Sequence, residues 1–173
     1  MIDKLIASPP PNSVVLSFDE KGKTPIKKFS GRRWTNDKQY RIPYAQKVKG
    51  LVDIFAAWDP HNKRIYYRFY DWKNAYIFID YLEWLLNTIF PKEDIYIILD
   101  GWSVHKSHAV KTFAALNPRL HLVPLPSCSS WMNSIERIFS RIQVEVLDNS
   151  DFQSPLDAIY TVSAFLEKEL NSS

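Results

Sequence analysis

The sequence contains a single cysteine, Cys128, and only four glycines, at positions 22, 31, 50 and 101. One cysteine excludes an internal disulfide framework and fits a reducing, cytoplasmic setting. Glycines so far apart exclude a glycine-rich phosphate loop. No run approaches about eighteen uninterrupted apolar residues, and Met1–Ser8 holds no apolar stretch of leader length. Neither a membrane span nor a secretory signal is therefore expected. His105 and His108 have no Cys or His neighbours at zinc-binding spacing, and Cys128 reads as a small loop residue. Extremes of composition are missing too: 46% of residues are hydrophobic and 24% charged, which excludes disorder as the main state. The 173 residues suit one domain with a proper core, spanning 1–173.

Charge is present but unevenly placed. The formal net charge is only +3, yet residues 21–49 hold ten basic side chains (among them Lys23, Lys27, Lys28, Arg32 and Arg33) against one acid, Asp37. The rest of the chain holds 12 basic and 18 acidic residues. Such asymmetry points to a polyanionic partner, DNA or RNA first. A solvated Lys-rich loop explains the charge equally well.

Hydropathy patterning predicts the elements. Ser13–Asp19 is a short β-prone run closing on an acid, and a short strand is expected around Ile26–Phe29. Leu51–Trp58 and Arg64–Tyr70, joined by the turn residues Asp59-Pro60-His61-Asn62, read as a hairpin. Asn74–Phe90 shows apolar residues at helical spacing and ends at Pro91. Ile95–Asp100 and Leu120–Pro124 are continuous apolar runs of buried-strand type. Ser107–Leu116, Ser134–Leu147 and Ser154–Leu170 read as helices, whereas Met1–Asn12 reads as a lead-in. The aromatics Trp72, Trp84 and Tyr66–Tyr70 are expected mainly in the core. The order β-β-β-α-β-α-β-α-α predicts an α/β domain of ribonuclease H-like fold. Its mixed five-stranded sheet has three antiparallel strands, then parallel ones, with helices on both faces.

Asp19 and Asp100 each end an apolar run. A carboxylate at the end of a buried strand costs several kcal/mol unless it is paired or metal-bound. Strand C-termini are also where open α/β sheets build ligand sites. Each residue alone is equally readable as a turn starter, Asp100-Gly101 especially. Glu136 is the third acid, in the first turn of a helix. Locally it is better explained by capping, since Asn133 is a favoured N-cap and Glu136 follows three residues later. Three converging carboxylates would repel strongly without a cation, about 4 kcal/mol for a pair at 4 Å in an effective dielectric near 20. Their hard oxygens suit Mg²⁺ or Mn²⁺, and a pair of such ions supports in-line phosphoryl transfer.

Several blocks resemble the IS630-type transposases of the Tc1/mariner superfamily. They are Val15–Gly22, Gly31-Arg-Arg-Trp34-Thr35, Ile97–Asp100 with His105-Lys106, Asn117-Pro118-Arg119 and Ser130–Ser140. The most specific is Ser-Trp-x-Asn-x-x-Glu, with 35 residues between Asp100 and Glu136. The resemblance implies a ribonuclease H-like catalytic domain that cuts transposon ends and joins 3′-hydroxyls to target DNA. It places catalytic and metal-binding roles on Asp19, Asp100 and Glu136, with two Mg²⁺ (or Mn²⁺) ions per site. His105 and Asn133 match auxiliary positions, and Gly101 stands where relatives have Asn. The basic residues Lys23, Lys27, Lys28, Arg32 and Arg33 become candidates for DNA contact. A homodimer bridging two DNA ends is the implied assembly. Eighteen residues precede Asp19, so an N-terminal helix-turn-helix region is expected to be missing, and a separately encoded subunit of that kind is a candidate partner. Two other readings remain: an inactive remnant that only binds DNA or a partner subunit, and a nuclease of the same fold acting on RNA–DNA hybrids or junctions.

Overall fold

A computed structural model describes residues 2–29, 46–101, 103–126 and 133–170. Its centre is a five-stranded sheet in the order β3-β2-β1-β4-β5, built from β1 (Ser13–Pro25), β2 (Leu51–Asp59), β3 (Arg64–Tyr70), β4 (Asp94–Leu99) and β5 (Leu120–Pro124). The first three strands pair antiparallel, and β4 and β5 run parallel to β1. The predicted mixed sheet is the observed one. Asp59 builds the β2–β3 turn by accepting from the His61 and Asn62 amides at 2.9 and 3.1 Å.

Strand alternation divides β1 into two faces. Leu16 and Phe18 pack with Phe78, Tyr81, Leu82 and Val110 from α2 (Ala75–Trp84) and α3 (His108–Leu116). Asn74 caps α2, its Oδ1 accepting from the Tyr76 and Ile77 amides at 2.9 and 3.0 Å. A π-helical turn, Leu85–Ile89, then carries the helix to Phe90, just before Pro91. On the other face, Ile54, Ala56 and Ile65 pack against α4 (Ile135–Arg141), its π-helical continuation Ile142–Leu147, and α5 (Pro155–Leu170). Helices therefore cover both faces.

Three local expectations need correction. Met1–Asn12 is more than a lead-in: Ile2–Ala7 forms a short helix, α1, whose Ile2 packs on Val15, Ile98 and Leu125. No strand forms at Ile26–Phe29; instead β1 runs on to Pro25 through a bulge between Lys21 and Thr24. Lys23 there has φ +51°, and its amide donates to Asp53, which is why that carboxylate can be buried on β2. Trp72, expected in the core, is 73% exposed.

Gly50 sits where only glycine fits. Its φ is +155°, and a Cβ would lie 2.4 Å from Cγ of Pro155, the first residue of α5. Gly50→Ala is expected to destabilise the fold by about 2 kcal/mol or more, through backbone strain and overpacking together. Urea unfolding measures this, and an unchanged midpoint would contradict it.

Candidate active site

The strand register sets the first two acids side by side. β1 and β4 pair in parallel up to Ser17 opposite Ile98; Asp19 and Asp100 each follow two residues later, close enough for the Asp100 charge to act on Asp19. Alternation turns Asp19 away from Phe18 and toward the face that carries α4. Glu136 lies in the first turn of that helix.

The link between α4 and β1 corrects the capping reading of Asn133. Asn133 is buried, and its Nδ2 donates to the Phe18 carbonyl at 3.0 Å. Its Oδ1 has no hydrogen-bond partner among the described residues, so it does not cap the helix. Ser134 is the residue before the helix; it makes no side-chain cap, and its hydroxyl donates to Ser17 Oγ at 2.9 Å. Both side chains thus tie the start of α4 to the strand that carries Asp19. The pattern that looked like a local cap is a long-range clamp.

Electrostatics register the convergence. Burial pushes the Asp19 carboxyl up to about 6; the Glu20 amide opposes this, and the negative charges of Asp100 and Glu136 add to it. The Asp19 oxygen that accepts from Glu20 N–H does so at 2.8 Å. Asp100 Oδ1 lies 3.2 Å from His105 Nδ1. Among the described residues, no three His, Cys, Asp or Glu side chains close into a cage around one point. Asp100 and Glu136 lie within Coulombic range of Asp19, and Asp19 and Asp100 are each turned partly toward a protein partner.

The donor set suits a hard divalent cation nonetheless. All three acids offer oxygens, and the raising of Asp19 by the charges of Asp100 and Glu136 is what a cation would relieve. Among the described residues, a Cβ at Gly101 would meet only Lys106 Nζ, at 3.5 Å.

Sequence reasoning missed Glu20 and Lys73. The Glu20 side chain is 5% exposed, and its Oε1 lies 3.3 Å from Lys73 Nζ. Burial, then the charge of Asp19, pushes its carboxyl up to about 7. Period-two alternation after a recognised strand-end acid would have placed Glu20 on the buried face, but β1 appeared to end at Asp19.

The basic candidates divide. Lys23 lies in the bulge of β1 and is exposed, whereas Lys27 and Lys28 follow the end of the strand and are half-buried. Arg32 and Arg33 lie outside the described residues. Lys21 reaches α4's continuation, its Nζ donating to Gln143 Oε1 at 3.1 Å, and Glu136 joins both in lining a groove of about 450 Å³. Lys49 is held by Asp151 at 3.5 Å and by Gln153 at 2.9 Å, so it belongs to the α5 junction.

Comparison with known proteins agrees with this architecture. The chain is 26% identical over 95 residues to an IS630 insertion-element protein of 39 kDa from Shigella sonnei, covering 55% of this chain and 28% of that protein. The Mos1 strand transfer complex superposes with a TM-score of 0.65 at 17% identity, over 94% of this chain and 48% of that one. The catalytic domain of Mos1 mariner transposase gives 0.62 at 13% identity, over 99% and 78%. These structural likenesses carry the fold, and the chain spans about half the length of the Mos1 protein in its DNA complexes. Among the described residues no helix is long and apolar enough to cross a membrane. Residues 14–157, most of the chain and all three acids, match the family of DDE superfamily endonucleases, and the chain belongs to that family.

Proposed function

We propose that the chain is the catalytic part of a DNA transposase, cutting transposon-end DNA and joining the freed 3′-hydroxyls to a target. The observation that supports this reading is that Asp19 and Asp100 each stand two residues past the last paired positions of adjacent parallel strands, while Asn133 and Ser134 tie the start of the helix bearing Glu136 to β1. Asp19, Asp100 and Glu136 are the metal-holding residues, and His105 and Asn133 are auxiliary. Bound Mg²⁺ or Mn²⁺, two ions in this reading, would activate the attacking oxygen and stabilise the leaving one. The protein's own part is to fix the carboxylates and to hold the sugar–phosphate backbone over them. Metal use is supported by Mos1 paired-end complexes solved with Mg and with Mn. DNA as substrate is supported by the same complexes and by the basic segment after β1. A homodimer bridging two ends is the assembly this reading implies, with a helix-turn-helix subunit as a candidate partner.

The test is direct. Purified protein with Mn²⁺ should nick or join duplex carrying the element's ends, alone or with its helix-turn-helix subunit, in preference to RNA–DNA hybrid and junction substrates. Cleavage of hybrid alone would favour a nuclease of the same fold. DNA binding without any metal-dependent cutting would favour a remnant.

Phosphate contact has a separate signature. Each phosphate neutralised adds about 0.9 to the slope of log K against log salt. Lys27→Gln with Lys28→Gln should therefore flatten that slope by up to about 1.8 and weaken binding to all sequences alike. Fluorescence anisotropy across a salt series measures it, and an unaltered slope would remove these lysines from the interface.

A further inference from the structure

Glu20 follows Asp19 and so points to the opposite face of β1, beside Phe18 and Phe78. A carboxylate that deep is costly unless partnered. One partner is Lys73, at the entry to α2, 3.3 Å from Oε1. The Lys73 side chain passes close over Gly22, where a Cβ would stand 3.1 Å from it. On the other side of Glu20, Oε2 packs against His105 Nε2 at 3.8 Å, longer than a hydrogen bond.

His105 is itself held tightly. Its side chain is 1% exposed, and its ring packs on Phe18 and Phe78 with centroids 5.7 and 4.6 Å away. Nδ1 faces two acceptors of one residue, Asp100 Oδ1 at 3.2 Å and the Asp100 carbonyl at 3.4 Å. Two acceptors on one side require the hydrogen to sit on Nδ1. Lys73, Glu20, His105 and Asp100 thus stand in a row from the start of α2 to the end of β4, with Glu20 and His105 buried and the two outer residues partly exposed.

We propose that Glu20 and Lys73 are positioning residues, forming the outer half of a chain that holds His105 and, through it, fixes the Asp100 carboxylate for a divalent cation. This rests on the metal-binding reading above. Partners that orient ligands in this way are worth about 10–100-fold in metal affinity.

Charge alone and positioning predict opposite signs for Lys73→Met. Removing a cation near an acidic site should tighten Mn²⁺ binding if only net charge matters. Loss of positioning should instead raise the half-saturating Mn²⁺ concentration about 10–100-fold. Calorimetric titration of Mn²⁺ into wild type, Lys73→Met, Lys73→Arg and the charge-neutral double variant Glu20→Gln/Lys73→Met reads this without any activity assay. Expected are weaker binding in Lys73→Met and in the double variant, recovery in Lys73→Arg, and altered ¹⁵N shifts of the His105 ring in both weakened proteins. The double variant also serves if Lys73→Met alone fails to fold, since it leaves no buried charge without a partner. Equal or tighter Mn²⁺ binding in the folded variants would overturn the positioning role and leave the metal site standing. Absence of Mn²⁺ binding in wild type would instead overturn the metal reading itself.

Discussion

Asp100→Asn is expected to lower metal-dependent DNA cleavage by about 10²–10³-fold or more, the scale of losing a key charge-stabilising group, while the fold survives. The replacement keeps the shape of the side chain and still offers His105 Nδ1 an oxygen acceptor, so the 3.2 Å contact has no cause to break. What disappears is a negative charge that acts on Asp19. Asp19→Asn and Glu136→Gln should behave alike, because three ligands acting as one unit are not additive.

Two other buried acids supply the contrast. Asp53 holds the β1 bulge through the Lys23 amide. Asp59 is 1% exposed and organises the β2–β3 turn through His61 and Asn62. Asp53→Asn and Asp59→Asn should lose stability, by about 1–3 kcal/mol for a buried hydrogen-bond set left incomplete, with cleavage per folded molecule little changed. Equal cleavage by Asp100→Asn and wild type would sink the assignment. So would the reverse pattern, with activity lost only in the Asp53 and Asp59 variants.

The second large effect is a pH-dependent stability that metal cancels. Asp19 stands at about 6 in the folded protein against an ordinary 3.8, and Glu20 at about 7 against 4.5. Burial is the first cause in both. A raised carboxylate binds its proton more tightly folded than unfolded, so its contribution to stability is complete below the unfolded value. It is lost as pH rises through the folded value. Metal-free protein should accordingly weaken between about pH 4 and pH 7 through these two groups. Holding one carboxyl at about 6 against 3.8 corresponds to about 3 kcal/mol. Coupling between the adjacent pair and partial solvent screening leave a few kcal/mol in total, or on the order of 5–10 °C in melting temperature.

Burial pushes His105 the other way, which adds stability as pH rises below its ordinary value. The cleaner measurement is therefore a difference. Metal-free Asp19→Asn and Glu20→Gln should melt above wild type at pH 8, and that advantage should shrink by pH 4.5. Mn²⁺ at pH 8 should raise the wild-type melting point, by about 2.7 kcal/mol of stabilisation at a hundredfold excess over the dissociation constant. Asp19→Asn should show little of that gain. A lower metal-free melting point for Asp19→Asn at pH 8 would mean that the carboxylate is chiefly structural.

Local pattern was enough to specify the sheet, the hairpin turn and the order of the main elements, and to single out two candidate acids. All of these follow from periodicity along the chain: apolar runs of strand length, turn residues between them, and carboxylates where a buried run stops. Legibility was weakest where partners are distant in the chain. Glu136 read as half of a helix cap because Asn133 three residues earlier has the right chemistry. In the fold that Asn donates instead to Phe18, 115 positions away, and no local pattern encodes such a choice. Glu20 was passed over because β1 looked six residues shorter than it is; only pairing with β2, through a bulge held by Asp53, shows the strand running on to Pro25. α1 escaped notice because six residues carry too little periodicity, and its burial comes from packing on Val15, Ile98 and Leu125. Which acids face each other, and which buried side chains support them, was settled by folding alone, since hydrogen-bond direction and Coulombic reach are set by the register of strands and the docking of helices.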